Sequence, residues 1–447
     1  MTSLVHRTPY RLTGLPAYRA LRIALAVAAV LPGYLVLLAR ERLGRPAGPA
    51  RWARAHERAA ARIEALALHL RGLFVKVAQV IGARADVFPE PFVRRLSRFH
   101  DEVPPRPWTE LRGFAEAELG APLEALFAEV EETPLAAASL AQVHRARLPD
   151  GTRVVIKVQY PEIARIAAGD LAAVRRVAGL VARLERRIDL RSLAEEVARF
   201  VALELDFARE ADFTERIARE LAASPDARVP RVVRALSRPR LLVLEYLEGI
   251  PVARVDALRR AGHDPAAVGR RVARIWAEMI FEREAFHGDP HPGNLLVLPD
   301  GRIGLLDFGL CKELPPGFGA NAAALLVAGA AGDGPGALRA AHALGFAVDG
   351  VPPEVVPALI RALLGQTPPD AALRELLGQG LLARIPSHFA LIGRSLILLN
   401  GLSHTLAPGA QVIQEELLRA LAPHAARLRE RAQTSTSTSA PACSPER

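Results

Sequence analysis

At 447 residues, 50% hydrophobic but only 5% aromatic, the chain is long enough for two or three domains or for one bilobal domain with extensions, and its Ala, Leu and Val favour helices. The formal net charge of +10 favours contact with phosphates of nucleotides, nucleic acid or an anionic membrane, without choosing among them. Two distant cysteines, Cys311 and Cys443, exclude a disulfide framework and a cysteine zinc site, so we expect a reducing, cytoplasmic setting.

The first element in chain order is an apolar segment at residues 23–39, which carries no charge and is flanked by Arg22 and Arg40. It is at the short end of a membrane span, and Pro32-Gly33 interrupts its middle. No A-x-A cleavage site followed by an exported domain is present, so a signal peptide is not expected. A helix that dips into or lies on a membrane and a buried hairpin of two short helices both fit. We favour the membrane, and expect residues 1–49 to associate with its inner face.

Residues 50–108 are predicted to form a helical extension. The stretch from Ala50 to Ile81 contains no Pro and has apolar residues at helical spacing, which predicts one long helix followed by a turn rich in Pro. This helix places Lys76 and Gln79, three residues apart, on one face. The sequence DEVPPRPW then marks a boundary near residues 101–108.

Residues 109–249 mix strand and helix patterns. The runs QVHRARL and RVVIKVQY, joined by the turn PDG, predict a β-hairpin with Lys157 on its second strand. A loop of small residues, PLAAASLAQ, leads into the hairpin. Residues 162–222 have a helical pattern, and RVVRAL with LLVLEYLEG predicts another pair of strands ending near Glu248.

Beyond residue 255 the pattern is helical except around Gly293 to Asp307. Residues 250–427 therefore form a predicted helical domain, and residues 428–447 a disordered tail.

The stretch HGDPHPGN, followed by LLDFG, contains the residues best suited to chemistry. Two prolines stiffen the loop that carries Asp289 and Asn294. A hairpin that turns at residues 299–301 then brings Asn294 beside Asp307. An amide and a carboxylate oxygen suit Mg²⁺, and Asp289 is predicted to lie nearby.

Protein-kinase-like enzymes use this pattern, H-x-D-x-x-x-x-N followed by D-F-G, for phosphoryl transfer. It predicts that Asn294 and Asp307 hold Mg²⁺, that Asp289 positions the attacking hydroxyl or water, and that His287 supports the loop. The implied cofactors are ATP or ADP and Mg²⁺.

Such a site also needs an upstream lysine on a strand to hold the α- and β-phosphates. Lys157 fits, because a charged residue among β-branched neighbours is unfavourable without a partner, and Glu210 is the natural partner. The alternative is a lysine exposed on an edge strand.

Together these motifs make the chain resemble the AarF/UbiB family, atypical kinases linked to ubiquinone and other isoprenoid lipids. The resemblance runs from about residue 60 to about 425. The family motifs K-x-G-Q, A-A-A-S-x-G-Q-V-H, V-x-K-V-Q-x-P and E-x-D-x-x-x-E appear here as KVAQ, AAASLAQVH, VIKVQYP and ELDFARE. The resemblance implies an α+β, helix-rich, bilobal protein-kinase-like fold with a small β-containing N-lobe at 109–249, a helical C-lobe at 250–427 and an N-terminal helical extension.

The resemblance further implies that Glu204 and Asp206 meet Lys76 and Gln79 over the mouth of the active site and restrain it, while Glu210 pairs with Lys157. MgATP is then expected in the cleft between the lobes.

Two family glycines are Ala78 and Ala141 here. Alanine is favourable in a helix, so Ala78 is harmless unless the helix is approached closely. If Ala141 needs a positive φ, the nucleotide loop must rearrange.

Nucleotide contacts are expected from two segments. The alanine loop is predicted to hold phosphates through N–H groups at a helix start, with Ser139 as an added donor. The segment LEYLEG is placed where a kinase hinge meets adenine. The residues concerned are Ala136, Ala137, Ala138, Ser139, Glu245 and Leu247. The resemblance implies that the loop alters nucleotide handling and that the KVAQ helix blocks the groove where a protein substrate would lie. We therefore expect an ATPase rather than a protein kinase. Isoprenoid or quinone lipids, or small molecules, are expected either as its substrates or as its regulators.

Two alternatives stay open. Aminoglycoside and choline phosphotransferases also use H-G-D-x-H-x-x-N, but usually continue with I-D-[WF]-[ED] where this chain has LLDFGL. A nucleotide- and lipid-binding scaffold without catalysis is the other. Nucleic-acid binding is not expected, because the arginines are dispersed and no aromatic stacking platform accompanies them.

Overall fold

Helices dominate the computed structural model, which describes residues 13–45, 47–82, 88–100, 105–184, 190–283, 285–363, 386–421 and 423. The predicted tail at 428–447 lies outside the described residues. Within them the fold is α+β and helix-rich, as predicted. The chain divides into two units: one holds the described residues up to Ala211 together with Val232–Tyr246, and the other holds Asp212–Arg231 and the described residues from Leu247 onward.

The apolar N-terminal segment forms one continuous helix, α1 (Pro16–Arg42), with Pro32 inside it. The interpretation as a hairpin of two short helices is therefore wrong. Proline removes a single backbone donor, and Ile23 and Leu37, on either side of Pro32, are both buried with alanines of helix α2 (Pro49–Leu70). This packing holds both halves of α1 in one helix.

A buried ion pair fixes α1 to helix α7 (Ile163–Leu184). Arg19 Nε lies 2.8 Å from Asp170 Oδ1, and Arg19 Nη2 lies 2.5 Å from Asp170 Oδ2. Arg19 Nη1 also donates to the carbonyl oxygen of Leu70, the last residue of α2. Because an unpaired buried charge is strongly unfavourable, this arginine specifies where the three helices meet.

The single long helix predicted for residues 50–81 is wrong, because the chain breaks into α2 and α3 (Leu73–Gly82). Arg71 and Gly72 adopt positive φ values of 54° and 53°. A Cβ on Gly72 would lie 2.8 Å from Ile163 Cδ1, so the close approach of α7 also requires glycine. Lys76 and Gln79 consequently lie on a separate short helix. Helix α4 (Glu90–Leu96) follows.

An antiparallel sheet forms the β part of the first unit, with strand order β1-β3-β4-β6 and β2 paired to β3. The predicted hairpin is present as β3 and β4, and the apolar residues of β4 that alternate with Lys157 are fully buried. The elements are α5 (Trp108–Leu119), α6 (Leu123–Leu126), β1 (Glu129–Val130), β2 (Ala136–Ala137), β3 (Ala141–Arg147), β4 (Arg153–Gln159), α7, α8 (Leu190–Glu204), α9 (Phe207–Glu220) and β6 (Leu241–Glu245).

The strand pair predicted near residues 230–248 is only half formed. Residues Arg234–Leu236 make a 3-10 turn, and β6 alone is a strand, joined to Val232 by an isolated bridge. The Ser237 hydroxyl accepts a hydrogen bond from Val243 N at 3.1 Å, a donor that a partner strand would otherwise use. The Ser237 side chain therefore replaces a backbone acceptor that a paired strand would have supplied to β6.

Helices pack around two small sheets in the second unit. One sheet has the order β5-β10-β9-β7, and the other pairs β8 with β11. Sequence patterning missed β8 and β11, because three-residue strands carry almost no periodicity. The elements are β5 (Ala227–Arg228), β7 (Ile250–Pro251), α10 (Val255–Arg260), α11 (Pro265–Phe281), β8 (Ala285–His287), β9 (Leu295–Val297), β10 (Ile303–Leu305), β11 (Cys311–Glu313), α12 (Phe318–Ala331), α13 (Gly334–Ala343), α14 (Val355–Leu363), α15 (Ser387–Leu406) and a final helical stretch, 412–421.

Candidate active site

Lys157 and Glu210 form a well-buried ion pair in the first unit. Lys157 Nζ lies 2.7 and 2.9 Å from the two carboxylate oxygens of Glu210. The Glu210 side chain is 1% exposed and that of Lys157 14%. The ammonium also lies 5.1 Å from the centroid of the Phe207 ring. The ion pair that the resemblance implies is therefore present, and it fixes the direction of the ammonium group.

Lys157 lies on a central strand. Strand β4 is paired with β3 on one side and β6 on the other, with Lys157 opposite Val143 and Leu242. The alternative of an exposed edge-strand lysine is therefore wrong.

Gln159 is a supporting residue that the sequence interpretation missed. It lies two residues after Lys157 and thus on the same face of β4. Its Nε2 donates to the carbonyl oxygen of Leu205 at 2.7 Å, at the junction of α8 and α9. Since Glu210 lies in the first turn of α9, this bond helps to place the partner of Lys157. The signal in the sequence was a second polar residue at strand spacing from the lysine.

The alanine loop is a short strand and a tight turn. Ala136 and Ala137 pair with β3, and Ala138 N donates to Ala141 O at 2.8 Å. The predicted helix start is therefore wrong, because pairing with β3 overrides the helix preference of alanine. Ser139 is buried. Contact of these residues with nucleotide stays a prediction.

Two buried titratable side chains adjoin this loop. The Tyr160 hydroxyl donates to Ala138 O at 3.3 Å, and burial raises the pKa of Tyr160 to about 12. His144 Nδ1 donates to Glu131 O at 2.8 Å, and burial lowers the pKa of His144 below its ordinary value of 6.5. Both side chains are consequently uncharged at pH 7.

Lys76 connects α3 to the end of α8 through an ion pair with Glu204. Both side chains are mostly buried, at 13% and 21% exposure. Gln79 instead donates to Phe99 O at 2.8 Å, and Asp206 accepts from Arg209 N at 3.0 Å at the start of α9. Of the implied four-residue cluster, the structure joins Lys76 to Glu204. Gln79 and Asp206 each bond to a backbone group instead.

Both alanines that replace family glycines fit without backbone strain. Ala78 is fully buried in the cluster formed by α2, α3 and α4. Ala141 begins β3, and in the described part of the chain the residues other than glycine with positive φ are Arg71 and Asp307. The loop therefore reaches its conformation without a positive φ at Ala141.

The predicted adenine contacts lie where the chain passes from one unit to the other. Glu245 ends β6 opposite Val154, and Leu247 is buried in the second unit. Between them, Tyr246 N donates to Arg153 O at 3.0 Å. Adenine binding at Glu245 and Leu247 stays a prediction.

His287 joins the two motifs of the second unit. It is fully buried, its Nε2 donates to Leu306 O at 2.9 Å, and its Nδ1 accepts from Asp289 N at 3.2 Å. The ring packs edge-on against Phe308, with ring centroids 5.2 Å apart. These two bonds define the neutral tautomer with hydrogen on Nε2. The position therefore agrees with a supporting role.

Asp289 and Asn294 contact each other within residues 287–294, which we call the catalytic loop after its H-x-D-x-x-x-x-N motif. Asn294 Nδ2 donates to Asp289 Oδ2 and to Asp289 O, both at 3.2 Å. The amide oxygen of Asn294 makes no hydrogen bond to any described residue. The loop thus orients an available hard oxygen ligand.

The β9–β10 hairpin brings Asp307 to the same end as Asn294. Leu306 N donates to Asn294 O at 2.9 Å, and Asp307 is the next residue. Asp307 is exposed, with φ at +57°, and its Oδ1 accepts from Gly309 N at 3.2 Å. Aspartate tolerates this left-handed conformation better than most residues.

The donor set fits Mg²⁺. No group of three or more His, Cys, Asp or Glu side chains gathers in the described residues. One amide oxygen and one exposed carboxylate are hard oxygen ligands of the kind that would hold Mg²⁺ beside nucleotide phosphates.

Arg394, on α15, is a further residue that the sequence interpretation missed. Its Nη2 lies 3.0 Å from Asp289 Oδ1. Because Arg394 is 105 residues from Asp289 and lies within a helix of ordinary apolar pattern, no local signal connects the two.

A model of the ABC1 atypical kinase-like domain matches residues 98–340, more than half of the chain. The chain belongs to this family. The matched stretch contains Lys157, Glu210, Asp289, Asn294 and Asp307. The predicted family and the protein-kinase-like fold with an N-terminal helical extension are thereby confirmed.

Individual relatives agree with the family match. The chain is 34% identical over 302 residues to AarF domain-containing protein kinase 1 of Xenopus tropicalis, covering 66% of this chain and 58% of that protein. It is 35% identical over 251 residues to the probable protein kinase UbiB of Marinobacter nauticus, covering 55% and 46%. A solved complex of Rv3197 with erythromycin from Mycobacterium tuberculosis covers 80% of this chain and 97% of its own, at 26% identity and a TM-score of 0.53. The chain spans about half the length of the curated relatives it matches.

Proposed function

We propose that the protein binds MgATP and transfers its γ-phosphoryl group to water, or to a small-molecule or isoprenoid lipid acceptor, rather than to proteins. Family membership and the kinase names of its relatives support phosphoryl transfer. Hydrolysis to ADP and phosphate leaves water as the acceptor, and transfer forms a phosphate ester with loss of the acceptor's proton.

Each site residue has a definite task in this proposal. Lys157 contacts the α- and β-phosphates, and Glu210 holds the Lys157 ammonium in place. The Asp289 carboxylate positions the attacking hydroxyl or water and accepts its proton. Asn294 and Asp307 hold Mg²⁺, which neutralises charge on the phosphate oxygens when bound.

The observation that carries the proposal is the coupling of the two motifs of the second unit. His287 bonds both to the Asp289 backbone and to the residue before Asp307, while Asn294 bonds to Asp289 and to Leu306. A turn rich in Pro and Gly without catalytic purpose needs no such convergence of hard oxygen groups.

Helix α1 supports a membrane location for this activity. It is the one described helix long and apolar enough to cross a membrane, and 11% of its apolar window is buried. Exposed apolar side chains lie along it at Leu21, Leu25, Leu35 and Val36. We include in the proposal that α1 contacts the membrane, where lipid acceptors are found.

Arginines of α2 add charge complementarity for anionic phospholipid. Arg51, Arg54 and Arg58 line one cleft with residues 32, 33, 36 and 37 of α1. No described carboxylate pairs with any of these three arginines. We call Arg51, Arg54 and Arg58, with the α1 residues that they face, the arginine cleft. We propose that it binds the head groups of an anionic phospholipid membrane.

The test compares ATP hydrolysis by the native protein and by Asp307→Asn, with and without vesicles of anionic phospholipid. We expect Mg²⁺-dependent hydrolysis that Asp307→Asn abolishes. Equal rates for the two proteins would leave a nucleotide-binding scaffold as the function. A parallel screen of hydroxylated small molecules covers the phosphotransferase alternative, for which the relative solved with erythromycin gives one reason. Turnover of an aminoglycoside would favour that alternative over water or a lipid as the acceptor.

A further inference from the structure

Helix α15 packs directly on the catalytic loop through three side chains. Arg394 Nη2 lies 3.0 Å from Asp289 Oδ1, and the Ser395 hydroxyl donates to Gly288 O at 3.0 Å. A Cβ on Gly288 would lie 2.6 Å from the side chain of Leu391 and 2.5 Å from Leu310 O. The glycine before Asp289 therefore permits the approach of this helix.

These contacts range from fully to partly buried. Ser395 is fully buried, and the side chains of Arg394 and Asp289 are 34% and 20% exposed. Ser395 Oγ also lies 3.0 Å from Leu391 O within α15, so its single hydroxyl proton is shared between that carbonyl oxygen and Gly288 O. The bond of the buried Ser395 to Gly288 therefore helps to set the position of Arg394 relative to the loop.

Helix α15 lies outside the stretch that matches the family model, which ends at residue 340. A residue from beyond the matched domain therefore touches the carboxylate assigned as the base. The matched domain alone lacks this cation.

Both carboxylate oxygens of Asp289 are engaged. Oδ1 faces Arg394 and Oδ2 faces the Asn294 amide, at 3.0 and 3.2 Å. Two donors on two oxygens fix the plane of the carboxylate, and of the two only Arg394 also brings a positive charge to it. Without Arg394, the amide bond from Asn294 is the one side-chain bond that the described residues give this carboxylate.

We propose that Arg394 is a positioning residue for phosphoryl transfer, which holds the Asp289 carboxylate in the orientation that accepts the acceptor's proton. This inference rests on the proposed function. It assigns a catalytic requirement to α15, an element outside the recognised domain.

The test is steady-state ATP turnover by the full chain carrying Arg394→Ala or Arg394→Lys. We expect Arg394→Ala to lower kcat by about 10- to 100-fold, the loss typical of a misplaced reacting group, with KM for ATP unchanged. Arg394→Lys retains the cation and should recover part of kcat, and added guanidinium ion should partly restore Arg394→Ala. Arg419→Ala, which removes an exposed arginine paired with Glu416 on the final helical stretch, is the matched control and should match the native protein.

Two further measurements separate positioning from folding. Melting temperatures identify a variant that is merely unstable, and Ser395→Ala removes a contact between helix and loop without removing the cation. A Ser395→Ala loss equal to that of Arg394→Ala, with no rescue by guanidinium, would overturn the proposal. So would an unchanged kcat in Arg394→Ala.

Failure of the proposed function can be distinguished from failure of the role proposed for Arg394. If the native protein turns over no ATP, the proposed function is wrong, and amide hydrogen exchange of residues 287–294 then decides the role of Arg394. Faster exchange in Arg394→Ala than in the native chain and Arg394→Lys supports positioning. Equal exchange in all three overturns it.

Discussion

At the scale of single residues, Asp289 differs from Asn294 and Asp307 because it ligates no metal in the proposed scheme. Asp289→Asn keeps the size of the side chain but removes the proton acceptor. We expect turnover to fall by about 10²- to 10⁴-fold, the usual contribution of a positioned base, while the affinity for nucleotide stays near its native value. Kinetics and fluorescent-nucleotide titration measure the two quantities, and lost binding with unchanged kcat would contradict the assignment.

His144 makes the stability of the first unit depend on pH. Burial lowers its pKa in the folded protein, so below about pH 6.5 the unfolded chain binds a proton that the folded chain resists. The stabilisation is complete above that pH and is lost as pH falls toward the lowered folded value.

The native melting temperature should therefore fall between pH 7 and pH 5, and less steeply in His144→Asn. Asparagine retains a donor for Glu131 O without titrating in this range. Identical slopes for the two proteins in thermal denaturation would show that His144 contributes nothing.

At the scale of elements, the arginine cleft depends on the packing of α1 beside α2. Replacing Arg51, Arg54 and Arg58 by Gln removes three charges without breaking any described ion pair. At about 1 kcal/mol for each basic residue near an anionic surface, vesicle affinity should fall by roughly 100-fold. Sedimentation with phosphatidylglycerol vesicles measures this loss, and phosphatidylcholine vesicles should show little.

A matched triple variant places the same charge change elsewhere in the first unit, at Arg145, Arg147 and Arg240, which pair with carboxylates. Its affinity should stay close to native. An equal loss in both triple variants would show that only net charge matters, and that the cleft has no special role.

Elements also show where sequence interpretation succeeds. The β3–β4 hairpin and its lysine were predictable because alternation and a turn sequence coincide there. The break at Gly72 was not, because only the approach of Ile163 from α7 explains it. The same holds for the alanine loop, where a partner strand outweighs intrinsic helix preference.

At the scale of the whole molecule, binding of nucleotide should stabilise the protein by mass action. At 100 times its Kd, a ligand that binds only the folded state adds about 2.7 kcal/mol to the free energy of unfolding. We expect ADP with Mg²⁺ to raise the melting temperature, and EDTA to reverse most of that rise because Asn294 and Asp307 act through the metal. An ADP effect of the same size with and without Mg²⁺ would contradict these ligands.

The candidate site was predictable only in part, because some of its contacts join residues that are far apart in the sequence. Residues within one motif, such as Asp289 and Asn294, are close in the sequence and meet through a short loop. Arg394 meets Asp289 across 105 residues, and Gln159 meets Leu205 across 46. Contacts of this kind are set by tertiary packing, which local pattern does not encode.

The pairing of β8 with β11 places Cys311 opposite His287, in a position only 1% exposed. A thiol reagent can reach that sulfur only while the two strands are apart. During that opening His287 also loses its pairing with Cys311. In a chain with Cys443 changed to Ser, the rate of thiol labelling therefore measures how often β8 and β11 separate, next to the loop that carries Asp289. Any ligand that stabilises the loop should therefore slow the labelling of Cys311.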